Sequence, residues 1–501
     1  MPLSLLVVAA ILVAGLVVAI FLIRRRSSCT PYPPGPLGDP IIGNLRQLPG
    51  HDAAIVFEEM GKKFGDVICL RVLGSTIVVL NSLQAAEELL DKHSAIHSDR
   101  PVFTLYELFG FKNALSAVPY GKQLMRLRQA HHSYLNKTKT SDLRPMLTVE
   151  ARTLGKNLLE CKEGEHELML NRFSTGVIAQ VVSGHRIVSA EDNYLRMSKM
   201  VLHVSTLMEQ VPAVTPLDFL PFLKHFPGWF PGAHYAGFAR QWRPVARELY
   251  TFPLETVKQQ RKDGSAMPSF LLEQLEFIES TPKTEEGVDL VGELEANAAS
   301  MFAAGEATTW SALSVFLLAM TLYPQCQARA QTEIDAVIGN RLPEFQDRES
   351  LPYVECLYNE VFRWNTGAPL GMFFNGLVSG FDWSGIPHRS ISDDIYRGMF
   401  IPKGTTILPN IRAMSHDERI YRTPTLFDPT RYLPAPEGRG EPFFTGKYGF
   451  GRRWYLHGPA SRRQQRLDSS RDRLVDMSYQ TSPRLGGGGK SSLRTRCIMG
   501  C

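Results

Sequence analysis

The chain has 501 residues, of which 44% are hydrophobic and 21% charged. This composition is ordinary for a globular protein with a large core, and it excludes disordered, fibrous and multi-span membrane proteins. The net charge of +5 has its origin in the last part of the chain: from Trp454 onward nine Lys and Arg against three Asp give +6, which leaves −1 for everything before. The main body therefore gives no indication of nucleic-acid binding.

The seven cysteines are scattered, without CxxC pairs or the spacing of zinc ligands. In a chain of this length they are too sparse for a disulfide framework, and they indicate a reducing compartment.

The N-terminus carries an apolar segment, Leu5 to Ile23, that is followed at once by three arginines, residues 24–26. Such a run nearly crosses a hydrocarbon core of about 30 Å. Because the positive charge follows the run, the pattern favours a signal anchor over a cleaved signal peptide, and it places the bulk of the chain in the cytosol. We predict a single transmembrane anchor over residues 1–26. Residues 27–47 form a proline-rich hinge or, more simply, a spacer.

Local patterns predict a β part followed by a long helical part. Val67 to Val79 is rich in β-branched residues and is broken by Gly74-Ser75, which indicates a strand pair. Leu83 to His93 is typical of a helix with Ser82 as its N-cap. Glu285 to Tyr323 is a long helical stretch without proline that ends at Pro324.

Helices are also predicted over Gln325 to Ile338 and Pro352 to Trp364, and short strands over Tyr396 to Pro402 and Thr405 to Leu408. The expected fold class is mainly α with a small β part in one compact domain.

Four separated sequence motifs indicate a function. Glu360 and Arg363 lie three apart on one helix face, where a surface ion pair is the usual explanation. Phe427 to Tyr432 is a loop that contains Arg431. Ala304 to Thr309 places glycine and threonines in mid-helix, which suits either a local widening beside a flat ligand or a close helix–helix contact. Tyr448 to Arg453 is a glycine-rich turn that ends in two arginines.

In this order and at these separations the four motifs resemble those of the cytochrome P450 family, in its membrane-anchored microsomal form found in fungi. The resemblance runs to Arg453. It implies the P450 fold for a catalytic domain over residues 48–453, in which haem b is the cofactor of a monooxygenase acting on small apolar organic substrates. The implied partners are membrane lipid and NADPH-cytochrome P450 reductase, with cytochrome b5 as a further candidate. The implied location is the endoplasmic reticulum membrane, with the catalytic domain in the cytosol and with secondary metabolism or xenobiotic oxidation as roles.

The resemblance also assigns roles to residues. Glu360, Arg363 and Arg431 match the buried triad that locks the core beside the haem. Thr308 matches the threonine that helps deliver protons during oxygen activation. Ala307 stands where the family usually has an acid, and Glu306 precedes it, so the proton relay is expected to be rerouted or weakened.

Three basic residues match haem-propionate contacts. Arg128 lies in a helix that begins at Tyr120-Gly121, although Leu124 replaces the usual Trp. His388 and Arg453 are the other two.

The pattern breaks after Arg453. The family holds its iron with a Cys thiolate, expected two residues later, but Tyr455 stands there and the next cysteine is Cys497. Residues 454–501 are predicted to be a disordered, aberrant tail, and the last helix and terminal β-hairpin of the family are missing. We hypothesise a reading-frame shift, because back-translation of Trp454 to Ala460 in another frame permits Ile-Cys-Met-Gly-Leu-Pro.

A retained short intron over residues 372–385 is a second hypothesis.

Two alternatives to a monooxygenase remain. The first is an inactive product that binds haem poorly, in which Tyr455 is a further candidate iron ligand. The second is a membrane-anchored helical binding protein unrelated to haem.

Overall fold

The structure is a computed structural model that describes residues 30–49, 52–209, 215–281, 288–366 and 386–450. The predicted anchor over residues 1–26, the hypothetical intron product over 372–385, Arg453 and the tail with Tyr455 lie outside the described residues. The hinge is described from Thr30 onward.

Helices dominate the described chain, as the sequence predicts. The α-helices are α1 (Ala53–Phe64), α2 (Leu83–Ala86), α3 (Ser94–His97), α4 (Thr104–Phe109), α5 (Lys122–Tyr134), α6 (Lys137–Asp142), α7 (Arg144–Glu160), α8 (His166–Ser183), α9 (Asn193–Glu209), α10 (Pro216–Phe219), α11 (His234–Lys262), α12 (Phe270–Ser280), α13 (Leu290–Leu322), α14 (Pro324–Ile338), α15 (Pro352–Trp364) and α16 (Ile411–Ser415). A π-helical turn, Glu87–Lys92, continues α2 toward α3. Short 3-10 turns are Leu45–Gln47, Phe111–Asn113, Pro221–His225, Phe345–Ser350, Pro429–Tyr432 and Thr445–Tyr448.

The β part consists of one four-stranded sheet and one hairpin. The strands are β1 (Val67–Val72), β2 (Ser75–Leu80), β3 (His388–Arg389), β4 (Asp394–Tyr396), β5 (Met399–Ile401) and β6 (Thr406–Pro409). The sheet order is β1-β2-β6-β3, in which β1 and β2 are antiparallel while β2 and β6 are parallel. The sheet thus joins chain segments that lie more than 300 residues apart in sequence.

One stretch that was predicted as a strand is divided in the structure. The stretch Tyr396 to Pro402, predicted as one strand, turns back on itself: Arg397 has φ 49° and Gly398 φ 76°, so β4 and β5 pair as a hairpin. Glu285, the predicted start of the long helix, lies outside the described residues. Within them the helix begins at Leu290, where the Asp289 side chain caps it by accepting a hydrogen bond from the backbone N–H of Gly292. The predicted cap at Ser82 is confirmed, since its Oγ accepts from the N–H of Ala85 at 3.3 Å.

Helix α13 is the central element of the helical core. It is buried on several sides and packs against α8 and α11. A Cβ at Gly305 would lie 2.6 Å from Cδ1 of Ile178 on α8, so the glycine permits the close approach of the two helices. Among the described residues α13 is the one helix long and apolar enough to cross a membrane, but 67% of its apolar window is buried in the protein. We therefore read it as a core helix.

Candidate functional site

The Glu360–Arg363 pair predicted from the sequence is buried, so it is no surface ion pair. Both residues have no solvent exposure. They face each other across one turn of α15, where Arg363 donates from Nε and Nη2 to the two carboxylate oxygens of Glu360, each at 2.8 Å. Arg363 Nη1 also donates to the backbone carbonyls of Ser415 and Pro424. The bidentate geometry and the carbonyl acceptors satisfy a charge that would otherwise be costly to bury.

Arg431 joins this pair from the turn Pro429–Tyr432. Its Nε donates to Glu360 Oε1 at 3.0 Å, and its Nη1 donates to Glu441 at 2.6 Å. Tyr432 donates its hydroxyl to Glu360 Oε2 at 2.9 Å. Although burial lowers the pKa of Arg431, the Glu360 and Glu441 carboxylates raise it above its ordinary value. The structure therefore brings the three predicted residues together. It adds Glu441, which lies outside the sequence motifs, and Tyr432, which ends the motif from Phe427 to Tyr432 and had no assigned role.

A second group is basic: Arg100 and His388 are buried and Arg128 is half-buried. Arg100 lies between α3 and α4, Arg128 on α5 and His388 on β3, and the charges of both arginines act on His388. Burial lowers the pKa of Arg100 to about 10, while Asp99 offsets part of that shift. Burial and the neighbouring Arg100 lower the pKa of Arg128 to about 9. Burial and the two arginines also lower the pKa of His388 well below its ordinary value, although its Nδ1–H donates to the His97 carbonyl at 2.8 Å.

This basic group, defined by Arg100, Arg128 and His388, fits the acidic edge of a haem. Nη1 of Arg100 donates to the backbone carbonyls of Ile386 and Pro387 at 3.0 and 2.8 Å. Its Nε is buried and has no hydrogen-bond acceptor among the described residues. A propionate carboxylate would supply both the missing acceptor and the counter-charge. Arg100 is a residue that the sequence motifs did not single out.

Thr308 lies in the middle of α13 and is buried. Its Oγ1 donates to the Ala304 carbonyl at 2.9 Å, as predicted for a threonine that bonds back one turn. Gly305 faces Ile178 on α8. Of the two interpretations of this motif, a local widening or a close helix–helix contact, the structure supports the close contact at Gly305.

The structure does not bring Glu306 and Thr308 together. Glu306 Oε1 accepts hydrogen bonds from Asn171 Nδ2 at 2.9 Å and from Ser198 Oγ at 2.8 Å, which lie on α8 and α9. Residues two apart on a helix do not face each other. Burial raises the pKa of Glu306 to about 7, and the two hydrogen bonds reduce that rise. The carboxyl group is therefore part of the packing between three helices.

The three buried cysteines among the described residues offer no thiolate in place of the missing one. Cys69 lies on β1, Cys326 on α14 and Cys356 on α15, and all three are buried. Burial raises the pKa of Cys69 and of Cys356 to about 11 and also raises that of Cys326. These thiols remain protonated near neutral pH, whereas a metal ligand must be a thiolate.

Comparison with known proteins identifies the same family that the motifs resemble. The profile described as Cytochrome P450 matches residues 33–454. Cytochrome P450 monooxygenase 176 of Postia placenta is 34% identical over 428 residues, which cover 84% of this chain and 78% of the relative. Cytochrome P450 monooxygenase COX2 of Coprinopsis cinerea is 35% identical over 459 residues, which cover 88% and 83%.

A third relative, cytochrome P450 monooxygenase claT of Ampulloclitocybe clavipes, is 34% identical over 458 residues, which cover 90% of this chain and 85% of the relative. The buried Glu360–Arg363–Arg431 cluster, the helical fold around α13 and the extent of these matches lead to one conclusion: the chain belongs to the cytochrome P450 family.

Proposed function

We propose that this protein is built as a haem-thiolate monooxygenase for a small apolar organic substrate. One atom of O2 enters the substrate and the other leaves as water, which consumes two protons from the solvent and two electrons supplied by NADPH through NADPH-cytochrome P450 reductase. The observation that carries this proposal is the basic group, in which Arg100 Nε lacks an acceptor in the part of the chain that the structure describes. Haem b, when bound, supplies the redox and oxygen-activating chemistry.

The residues of this chain have distinct tasks in the proposal. Arg100, Arg128 and His388, with Arg453 beyond the described residues, hold the propionates. Thr308 holds a proton on Oγ1, which at rest it shares with the Ala304 carbonyl at 2.9 Å. Release of that hydrogen bond would free the hydroxyl to donate elsewhere without breaking the helix, because the backbone ladder does not depend on it.

The Glu360–Arg363–Arg431 cluster acts only through structure. Its charges are satisfied by one another, by Glu441 and by backbone carbonyls. It connects helix α15 to the turn Pro429–Tyr432, which precedes the glycine-rich sequence motif at residues 448–453.

The proposed setting is the endoplasmic reticulum membrane. The apolar run from Leu5 to Ile23 with its following arginines supports a single-pass anchor and a cytosolic catalytic domain. Membrane lipid and the reductase are the expected partners, with cytochrome b5 as a second electron donor.

A reconstitution experiment tests the proposed activity. The protein carrying Ile-Cys-Met-Gly-Leu-Pro after Arg453 is combined with reductase, NADPH and an alkoxycoumarin whose oxidative dealkylation releases a fluorescent product. Fluorescence that requires both NADPH and reductase supports the proposal. A protein that binds haem in thiolate form, yet consumes no NADPH in excess of the reductase alone with this or other apolar probes, would contradict it.

The second candidate is a catalytically inactive product with impaired haem binding. Two observations favour it for the chain with Tyr455: the cysteine expected after Arg453 is absent from the sequence, and the family match ends at residue 454. Sequencing of the spliced transcript separates the two candidates at the level of the gene. A message that encodes a cysteine shortly after Arg453 and lacks residues 372–385 supports the enzyme, and a message that agrees with the present sequence in both regions supports the inactive product.

A further inference from the structure

A cluster of two histidines and one aspartate lies outside the residues assigned to the haem. His93 follows the π-helical turn and His97 ends helix α3, four residues later. Asp394 opens strand β4 of the hairpin, about 300 residues further along the chain. The fold therefore joins two distant segments at this point.

The three side chains converge on a single carboxylate oxygen. Asp394 Oδ2 lies 2.9 Å from His93 Nδ1 and 2.9 Å from His97 Nε2. The other oxygen, Oδ1, accepts the backbone N–H of Ile395 at 2.9 Å, which fixes the orientation of the carboxylate. The three candidate ligand atoms all lie within 4.8 Å of one another.

We propose that His93, His97 and Asp394 form a binding site for a divalent transition-metal ion of the zinc class. Two imidazole nitrogens and one carboxylate oxygen are a donor set that suits Zn²⁺, and a water molecule would complete a four-coordinate site. Atoms that share one tetrahedral zinc lie about 3.3 Å apart, given zinc–ligand distances of about 2.0–2.1 Å. The existing carboxylate–imidazole contacts need to open by only a few tenths of an ångström.

The burial of the three residues suits this role. The side chain of His97 is fully buried and that of Asp394 is 11% exposed, so both are held in place by their surroundings. The His93 side chain is 43% exposed, which leaves a path for the ion and a solvent-facing coordination position. His97 and Asp394 are already held in place, and only the His93 side chain has to be ordered when the ion binds. The entropic cost of binding is therefore small.

A bound ion would link two parts of the fold that backbone hydrogen bonds connect sparsely. Ile391 donates its backbone N–H to the Ile96 carbonyl at 2.8 Å, and the His97 carbonyl accepts from His388 Nδ1 at 2.8 Å. The ion would hold α3 against the β4–β5 hairpin next to these contacts. Its expected effect is therefore local stabilisation, independent of the proposed catalytic activity.

Zinc titration of the untagged full-length protein by calorimetry tests the site, with ZnCl2 as the probe. His93→Ala removes the most exposed ligand, and Asp394→Asn keeps the shape of the carboxylate while removing its charge. His185→Ala is the matched control, because His185 Nε2 pairs with Asp192 Oδ2 at 2.8 Å and no third ligand joins this pair within the described residues. The expected result is one equivalent of bound zinc that is lost, or at least about tenfold weaker, in both site variants and unchanged in the control.

Hydrogen exchange provides a second readout that does not require every variant to be stable. Zinc should slow exchange of the backbone amides in residues 394–401 of the parent protein and leave them unchanged in His93→Ala, whose mutated side chain is largely exposed. Absence of zinc binding up to about 1 mM, or equal zinc affinity in the parent and in His93→Ala, would overturn the proposal. Equal weakening in His185→Ala would overturn it as well.

Discussion

Glu306 and Thr308 lie two residues apart on helix α13, yet the Glu306 carboxylate is hydrogen-bonded to Asn171 and Ser198 on neighbouring helices while the Thr308 hydroxyl bonds to its own backbone. The helical repeat turns the two side chains to opposite sides. The Glu306 carboxylate is thus directed away from the Thr308 hydroxyl, and the different partners of the two side chains give each residue a different expected behaviour.

Glu306 should make the folded state less stable as the pH rises toward neutrality. Its pKa is raised by burial to about 7, so the folded protein binds a proton that the unfolded chain has lost between about pH 4.5 and 7. The free energy of unfolding contributed by this group therefore falls through that window, by up to about 3 kcal/mol at the ordinary conversion. Glu306→Gln removes the titration, so the stability of this variant relative to the parent should rise from pH 5 to pH 7.5. Urea unfolding at the two pH values measures the difference, and parallel pH profiles would show that Glu306 does not titrate in this way.

Loss of the Glu360 charge should destabilise the protein strongly. In Glu360→Gln the buried guanidinium of Arg363 loses its carboxylate partner, and Arg431 keeps Glu441 as its one carboxylate partner among the described residues. An uncompensated buried charge costs about 3–5 kcal/mol.

The control for this prediction is Glu255→Gln. Glu255 pairs with Lys258 at 2.8 Å with the same spacing of three residues, but both side chains are exposed, and such pairs contribute about 0–1 kcal/mol. Denaturant unfolding of the two variants gives the comparison. A similar loss of unfolding free energy in Glu360→Gln and Glu255→Gln would mean that burial does not make the Glu360 ion pairs more important than the exposed one.

Arg100→Ala should weaken haem binding in the protein that carries Ile-Cys-Met-Gly-Leu-Pro after Arg453. Charge-assisted hydrogen bonds contribute about 1.5–3 kcal/mol, which corresponds to a loss of affinity of roughly tenfold to a hundredfold. Titration of the haem-free protein with haem, followed by absorbance, measures the effect. Arg261→Ala is the control, because Arg261 pairs with Glu279 and both side chains are exposed. Unchanged haem affinity in Arg100→Ala would remove Arg100 from the propionate site.

Gly305→Ala should destabilise the contact between α13 and α8. The added Cβ would lie 2.6 Å from Ile178 Cδ1 and 3.0 Å from its Cγ1, in a region where Ile178 is buried. Overpacking costs about 1–3 kcal/mol, and the better helix propensity of alanine returns up to about 1 kcal/mol. Ile178→Val removes Cδ1, so the double variant should recover part of the stability lost in Gly305→Ala. Thermal unfolding of the two single variants and the double variant gives a double-mutant cycle. If the changes in the free energy of unfolding simply add, the two side chains do not interact in this way.

Sequence motifs predicted the parts of the fold and site that depend on short spacing. The turn of α15 sets the distance between Glu360 and Arg363, and the end of the strand pair sets the Ser82 cap, so both follow from local sequence. Glu441 and Tyr432 reach the same cluster through tertiary folding, and their sequence positions carry no periodic signal. Arg100 was missed for the same reason, because a single arginine before Pro101 predicts only an irregular segment.

The family resemblance implied a proton relay at Thr308 that is rerouted or weakened, because Ala307 occupies the acid position and Glu306 precedes it. The course of such a relay depends on side-chain direction. That direction follows from the helical repeat and from the position of the neighbouring helices α8 and α9. The hairpin at Arg397-Gly398 was likewise hidden within an apparently continuous strand, because the turn is set by two positive φ angles and not by a proline or an Asn-Gly pair.

The carbon monoxide spectrum of the reduced protein tests the proposed haem-thiolate chemistry most directly. A cysteine thiolate on the iron gives a characteristic Soret band in this family, and Tyr455 stands where the thiolate is expected. We predict no such band for the chain with Tyr455 and a clear band when Ile-Cys-Met-Gly-Leu-Pro follows Arg453. A thiolate band from the chain with Tyr455, or its absence after the cysteine loop is restored, would contradict the proposed site.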